Sequence, residues 1–213
     1  MTPAEASKQA AEICQLAPVV PVLVIDNVAD ARPIAEALVA GGLPALEVTL
    51  RTPVALDAIR EMAQVEGGVV GAGTLLTPAD VAAAKAAGAL FGVSPGVTDL
   101  LLDACEANDL PLLPGAATAT ESMQLLERGY TVQKFFPAEA AGGAAALKGI
   151  GAPIPQVKFC PTGGVTPKNA PDYLGLSNTL CVGGSWVCPA NLVKAKDWAA
   201  IEELAREAAA LAR

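Results

Sequence analysis

The chain has 213 residues and not one histidine. The commonest general base and the commonest metal ligand are therefore missing, and neither a histidine-based mechanism nor a bound metal is expected. Aromatic residues are scarce at 4%, so the core must be built mainly from Ala, Val and Leu. No apolar run approaches the ~20 residues that cross a bilayer. The longest, 17–25, is broken by Pro18 and Pro21. The N-terminal stretch MTPAEASKQAAEICQ is polar and mixed in charge, unlike a signal peptide. The five cysteines include no C-x-x-C pair, and their odd count points to reduced, buried thiols. Positive charge is also in short supply: the net charge is −8. A phosphate-coated polymer would be repelled, which excludes nucleic acid as a partner, while a small anion can still bind at a local positive site. The expectation is a cytoplasmic protein with no membrane contact. A mean hydropathy of +0.44 suggests some apolar surface buried between subunits.

What is present is one pattern repeated: a short apolar run, a turn, then an Ala/Leu-rich amphipathic stretch. Strands are expected at 19–26, 45–50, 69–73, 90–94, 110–114, 132–137, 157–162 and 179–183. Helices are expected near 28–40, 53–64, 78–87, 98–107, 118–127, 143–149 and 167–174, with another before the first strand at 3–16 and a last one at 198–211. Thr77-Pro78 and Thr166-Pro167 read as helix starts, and Gly41, Gly88 and Gly129 as helix stops. Strands alternating with helices imply a parallel sheet, and no linker divides the chain. Eight units can lie open as a doubly wound sheet or close on themselves. Closure is favoured because it leaves no unpaired edge. The expected fold is α/β: a single (β/α)8 TIM barrel over residues 1–213, with an additional N-terminal helix.

Chemistry in such a barrel sits at the C-terminal ends of the strands. Lys134 lies late in Val132-Gln133-Lys134-Phe135-Phe136-Pro137, on the face shared by Val132 and Phe136. Burial disfavours an ammonium ion, and a neutral amine is a nucleophile toward ketones. The competing reading is a lysine that snorkels to solvent from the rim. In Leu46-Glu47-Val48-Thr49-Leu50-Arg51 the apolar face packs on helices, so Glu47, Thr49 and Arg51 point inward. Glu47 is a candidate acid/base, and Arg51 can grip a carboxylate with its planar fork. A buried structural Glu–Arg pair would leave the same pattern. Two glycine pairs, Gly163-Gly164 and Gly183-Gly184, end the seventh and eighth strands. There their backbone N–H groups, with a helix N-terminus, can hold phosphate, although a lone Gly-Gly more often only turns the chain. Thr74, ending the third strand, can donate to a substrate carboxylate or simply start a helix. Pro95, ending the fourth, shapes the pocket wall.

The segments LEVTLRT (46–52), GAGT (71–74), SPG (94–96), KFFPAE (134–139), FCPTGG (159–164) and GGSW (183–186) together resemble the 2-keto-3-deoxy-6-phosphogluconate (KDPG) aldolase family, which also acts on 4-hydroxy-2-oxoglutarate. They occur in family order and span nearly the whole chain. The resemblance implies a cofactor-free, metal-free homotrimer acting on a phosphorylated 2-oxo acid. It makes Lys134 the Schiff-base lysine and Glu47 the acid/base. Arg51 and Thr74 match positions that hold the pyruvate carboxylate. Pro95 and Phe136 match the pocket wall, and Thr162 lies beside the reacting carbons. Gly163, Gly164 and Ser185 match the phosphate site. One departure is Pro114-Gly115-Ala116-Ala117-Thr118, where relatives often carry a larger aliphatic after the glycine. Rival functions are a phosphogalactonate-type aldolase, a phosphosugar isomerase or epimerase that needs no imine, and a non-catalytic sensor of a phosphorylated acid.

Overall fold

The alternating pattern folds as read, and the local chemistry shows why. Thr2, Thr77 and Thr118 each cap a helix and close a capping box with Glu5, Asp80 and Glu121. Gly129 ends its helix in the left-handed conformation that suits a residue without a Cβ. The computed structural model describes residues 1–212. Helix α1 (Pro3–Cys14) precedes strand β1 (Val19–Leu23), followed by α2 (Val28–Ala40), β2 (Ala45–Thr49), α3 (Ala55–Met62), β3 (Val69–Gly73), α4 (Pro78–Ala86), β4 (Phe91–Val93) and α5 (Asp99–Ala107). Then come β5 (Leu112–Leu113), β6 (Gly115–Ala116), α6 (Ala119–Arg128), β7 (Val132–Phe135), α7 (Gly143–Gly151), β8 (Lys158–Pro161), α8 (Ala170–Leu174), β9 (Val182–Gly184), α9 (Ala190–Ala195) and α10 (Trp198–Ala209).

All the paired strands run parallel, in two sheets ordered β5-β4-β3-β2-β1-β9 and β6-β7-β8. The expected fifth strand is split at Pro114, which has no N–H to give a ladder. Its carbonyl still accepts from Lys134 N at 2.8 Å. Between β8 and β9 the ladder thins to isolated bridges, Phe159 to Thr179 and Thr162 to Gly183. The sheet is curled: inward side chains of β1, β2, β4, β5, β7 and β8 meet in one cluster with Cys181, sealed from below by Ala10 and Cys14 of α1. The other face packs on the helices through residues such as Leu46, Val48, Phe135 and Phe159. The fold is therefore α/β with a curled parallel sheet. Among the described residues no helix is long and apolar enough to cross a membrane.

Several boundaries differ from expectation. Strand β1 stops at Leu23 rather than at Asp26, and α3 begins at Ala55 rather than at Pro53. The helix expected from Pro167 begins at Ala170. Asn169 Oδ1 takes the Thr166 N–H at 2.7 Å and holds residues 166–169 in a turn. Helix α9, too short to show a clear period, was not expected. The five thiols are free, and Cys188 alone among them is only partly buried.

Candidate active site

Alternation along the strands decides which polar groups meet. On β2, Ala45, Glu47 and Thr49 share the inward face; on β7, Val132 and Lys134 do. Although far apart in sequence, Lys134 and Glu47 come together: Nζ donates to Oε1 at 3.2 Å. Both are buried, at 5% and 2% exposure, above the apolar inner cluster. A lysine that snorkels out to solvent is therefore ruled out. Glu47 pairs with Lys134 rather than with Arg51, which answers the structural-pair alternative. Burial raises the Glu47 carboxyl above its usual range, and the Lys134 charge and hydrogen bond only partly oppose this. The Phe136 ring centroid lies 5.2 Å from Lys134 Nζ, a cation–π distance.

The remaining residues surround this pair at the strand ends. Arg51 lies beyond the end of β2 and is exposed. Its Nε donates to Thr49 Oγ1 at 3.2 Å, and Thr49 in turn donates to the Leu23 carbonyl at 2.8 Å. Among the described residues the rest of the guanidinium has no hydrogen-bond partner, so its fork is available to an anion. Thr74 has φ 62°, in the left-handed region. For a β-branched residue that is a strained backbone, of the kind that gathers at functional sites. The backbone of Pro95 presses on Gly115, whose register partner across the ladder is Lys134.

Thr162 is buried beside β9, where a side chain on Gly183 would overlap its hydroxyl. Gly163 and Gly164 have φ of 102° and 78°, two left-handed residues in succession. Among the described residues the N–H groups of Gly164 and Val165 find no acceptor, whereas the Gly163 N–H faces the Gly183 carbonyl in the Thr162–Gly183 bridge. Two consecutive unpaired donors at a left-handed turn form the kind of backbone nest that binds anions. The helix N-terminus expected to assist is absent, because α8 starts too late and is too short. Ser185 is exposed just after β9, on a cavity of about 480 Å3 that also touches Val22 and Asp26 but does not reach Lys134.

Sequence reasoning missed the supporting residues. Gly73 is one: a Cβ there would overlap the Glu47 carboxylate. Its position directly before Thr74 was the available signal. Gly73→Ala should push Glu47 out of line and lower kcat/KM by about 100-fold, since ångström-scale misplacement has that effect. Steady-state kinetics with a thermal melt checks this; a loss of activity without loss of fold is the expected outcome. Thr49, which tethers Arg51, was visible from alternation but had no role assigned.

The family model described as KDPG and KHG aldolase matches residues 10–204. The KHG/KDPG aldolase of Escherichia coli is 50% identical over 200 residues, covering 93% of this chain and 94% of that one. The crystal structure of 2-keto-3-deoxy-6-phosphogluconate aldolase of Zymomonas mobilis with 3-phosphoglycerate superposes with a TM-score of 0.93 at 53% identity, covering 97% of this chain and 98% of that one. The Legionella pneumophila KDPG aldolase, captured with pyruvate at low pH as a covalent carbinolamine intermediate, gives 0.91 at 47% identity over 94% and 98% of the two chains. This chain belongs to the KDPG and KHG aldolase family.

Proposed function

We propose that the chain is a class I aldolase that cleaves 2-dehydro-3-deoxy-6-phosphogluconate to pyruvate and glyceraldehyde 3-phosphate, and also 4-hydroxy-2-oxoglutarate to pyruvate and glyoxylate. The observation that carries this reading is the buried Lys134–Glu47 contact of 3.2 Å. The names of its relatives and the pyruvate carbinolamine of the Legionella protein point the same way.

Glu47 Oε1, 3.2 Å from Nζ, is placed to take the lysine proton, leaving a neutral amine beside a neutral acid. The amine adds to the C2 ketone and forms a carbinolamine. Glu47 protonates the carbinolamine hydroxyl, water leaves, and a protonated imine remains beside a Glu47 carboxylate. That carboxylate removes the C4 hydroxyl proton. The C3–C4 bond breaks, its electron pair flows into the imine, and the aldehyde departs from an enamine. Glu47 returns the proton to C3, and water hydrolyses the imine to free pyruvate and the lysine. Arg51 and Thr74 hold the pyruvate carboxylate. Pro95, Phe136 and Thr162 line the pocket, while Gly163, Gly164 and Ser185 take the phosphate. The protonated imine is the electron sink, so no metal is needed.

The scaffold we infer is a single-domain (β/α)8 barrel. Closure is supported by the Phe159–Thr179 and Thr162–Gly183 bridges on one side, and on the other by β5 and β6, which follow one another across Pro114 and pair with different sheets. A homotrimer would run in solution at three times the chain's 21.4 kDa.

The test is pyruvate release from the phosphogluconate, phosphogalactonate and hydroxy-oxoglutarate substrates, with and without EDTA. Fastest cleavage of the phosphogluconate substrate, unchanged by chelator, is expected. Absence of pyruvate, or activity lost to EDTA, would overturn the class I reading.

A further inference from the structure

We infer that Glu139, clamped by Tyr173, is a positioning residue that holds the Gly163-Gly164 loop in its anion-binding shape. This rests on the phosphate site proposed above. The sequence motif KFFPAE supplies the catalytic lysine and a wall residue, yet its last position has no part in the imine chemistry. Three contacts show what that position touches.

The Glu139 N–H donates to the Gly163 carbonyl at 3.0 Å, one residue after Ala138 N donates to the Thr162 carbonyl at 2.8 Å. These bonds tie the segment after β7 to the glycine loop. The Glu139 stem also fills the space where a side chain on Gly164 would be: a Cβ there would sit 2.7 Å from its Cγ and 2.8 Å from its Cβ. Gly164 is therefore glycine for two reasons, its left-handed φ and the carboxylate stem against it. Finally, the hydroxyl of the wholly buried Tyr173 donates to Glu139 Oε1. A buried phenol needs an acceptor, and Glu139 is its partner among the described residues. Burial, and next the Glu139 hydrogen bond, hold the phenol above its usual range, so it remains a donor.

The arrangement resolves a conflict. A carboxylate beside a phosphate site would repel the ligand. Tied to Tyr173, the Glu139 carboxylate is held in one orientation while its stem supports the loop. Without Tyr173 the carboxylate is free to turn toward the phosphate, and without the stem the two left-handed glycines lose their backing.

The experiment compares the wild-type enzyme with Glu139→Ala, Tyr173→Phe and the conservative Glu139→Gln. It measures kcat and KM on the phosphorylated substrate and on 4-hydroxy-2-oxoglutarate, and inhibition by inorganic phosphate. Glu139→Ala and Tyr173→Phe should raise KM for the phosphorylated substrate and the phosphate inhibition constant about tenfold, the size of one lost charged hydrogen bond. Kinetics on the unphosphorylated substrate should change by less than about twofold, because it carries no phosphate for the loop to hold. Glu139→Gln, which keeps the stem and an acceptor for Tyr173, should restore phosphate binding. Equal losses on both substrates would mark a general structural role and overturn the inference. So would unchanged variants of an enzyme that phosphate does inhibit, with the phosphate site itself left standing. A wild-type enzyme indifferent to phosphate on both measures would remove that site and the inference together.

Discussion

Lys134→Ala should lower kcat/KM for the phosphorylated substrate by about 10^4-fold or more, equivalent to a barrier increase of about 5 kcal/mol. The size of the effect follows from what the amine supplies. It is both the nucleophile and, once condensed, the cation that receives the electron pair of the breaking C3–C4 bond. The other strand lysine is not placed for that role: Lys158 starts β8 at the opposite end of the sheet and donates to the Ser177 carbonyl at 2.8 Å. The same substitution should change how stability depends on pH. Lys134 is the main influence that lowers the Glu47 carboxyl against burial, so its removal drives that carboxyl higher. A carboxyl raised above its unfolded value contributes stability that is fully present below the unfolded value and is lost as pH rises through the folded one. Urea unfolding of Lys134→Ala should therefore show stability declining as pH rises above the ordinary carboxylate range, more steeply than in the wild type.

Glu47→Gln should leave imine formation possible but slow the proton transfers, reducing kcat by about 10^2 to 10^4-fold. One carboxyl group serves as acid and then as base, and in a chain without histidine nothing nearby replaces it. The raised Glu47 carboxyl places the acid limb of the wild-type kcat/KM profile above the ordinary carboxylate range. That limb should disappear in Glu47→Gln. A profile that keeps it would assign the limb, and the proton transfer, to another group. Because glutamine keeps the shape, the comparison with Gly73→Ala is informative: one removes the proton, the other moves the carboxylate.

Much of this was legible because periodicity of two fixes which way a strand residue points. Glu47 and Lys134 could be placed inward from their neighbours alone, since Leu46, Val48 and Phe135 claim the helix-facing side. That they touch could not be read, because contact depends on which strands stand close across the curled sheet. The threonine–proline helix start was legible at Thr77; the same signal misleads at Thr166, where Asn169 Oδ1 takes the N–H and the hydroxyl and holds a turn. The glycine loop reads in the sequence as a candidate anion site backed by a helix; in the fold the amides of Gly164 and Val165 are the unpaired donors there among the described residues, and the helix that follows is short. Gly73, Tyr173 and Glu139 act through space they leave or fill, and sequence does not report space.

The most direct test of an imine at Lys134 is borohydride reduction in the presence of pyruvate, followed by peptide mass spectrometry and an activity assay. A single reduced pyruvate adduct on Lys134, with activity lost in proportion to labelling, is the expected result. An adduct on a different lysine, or full activity after exhaustive reduction, would contradict it.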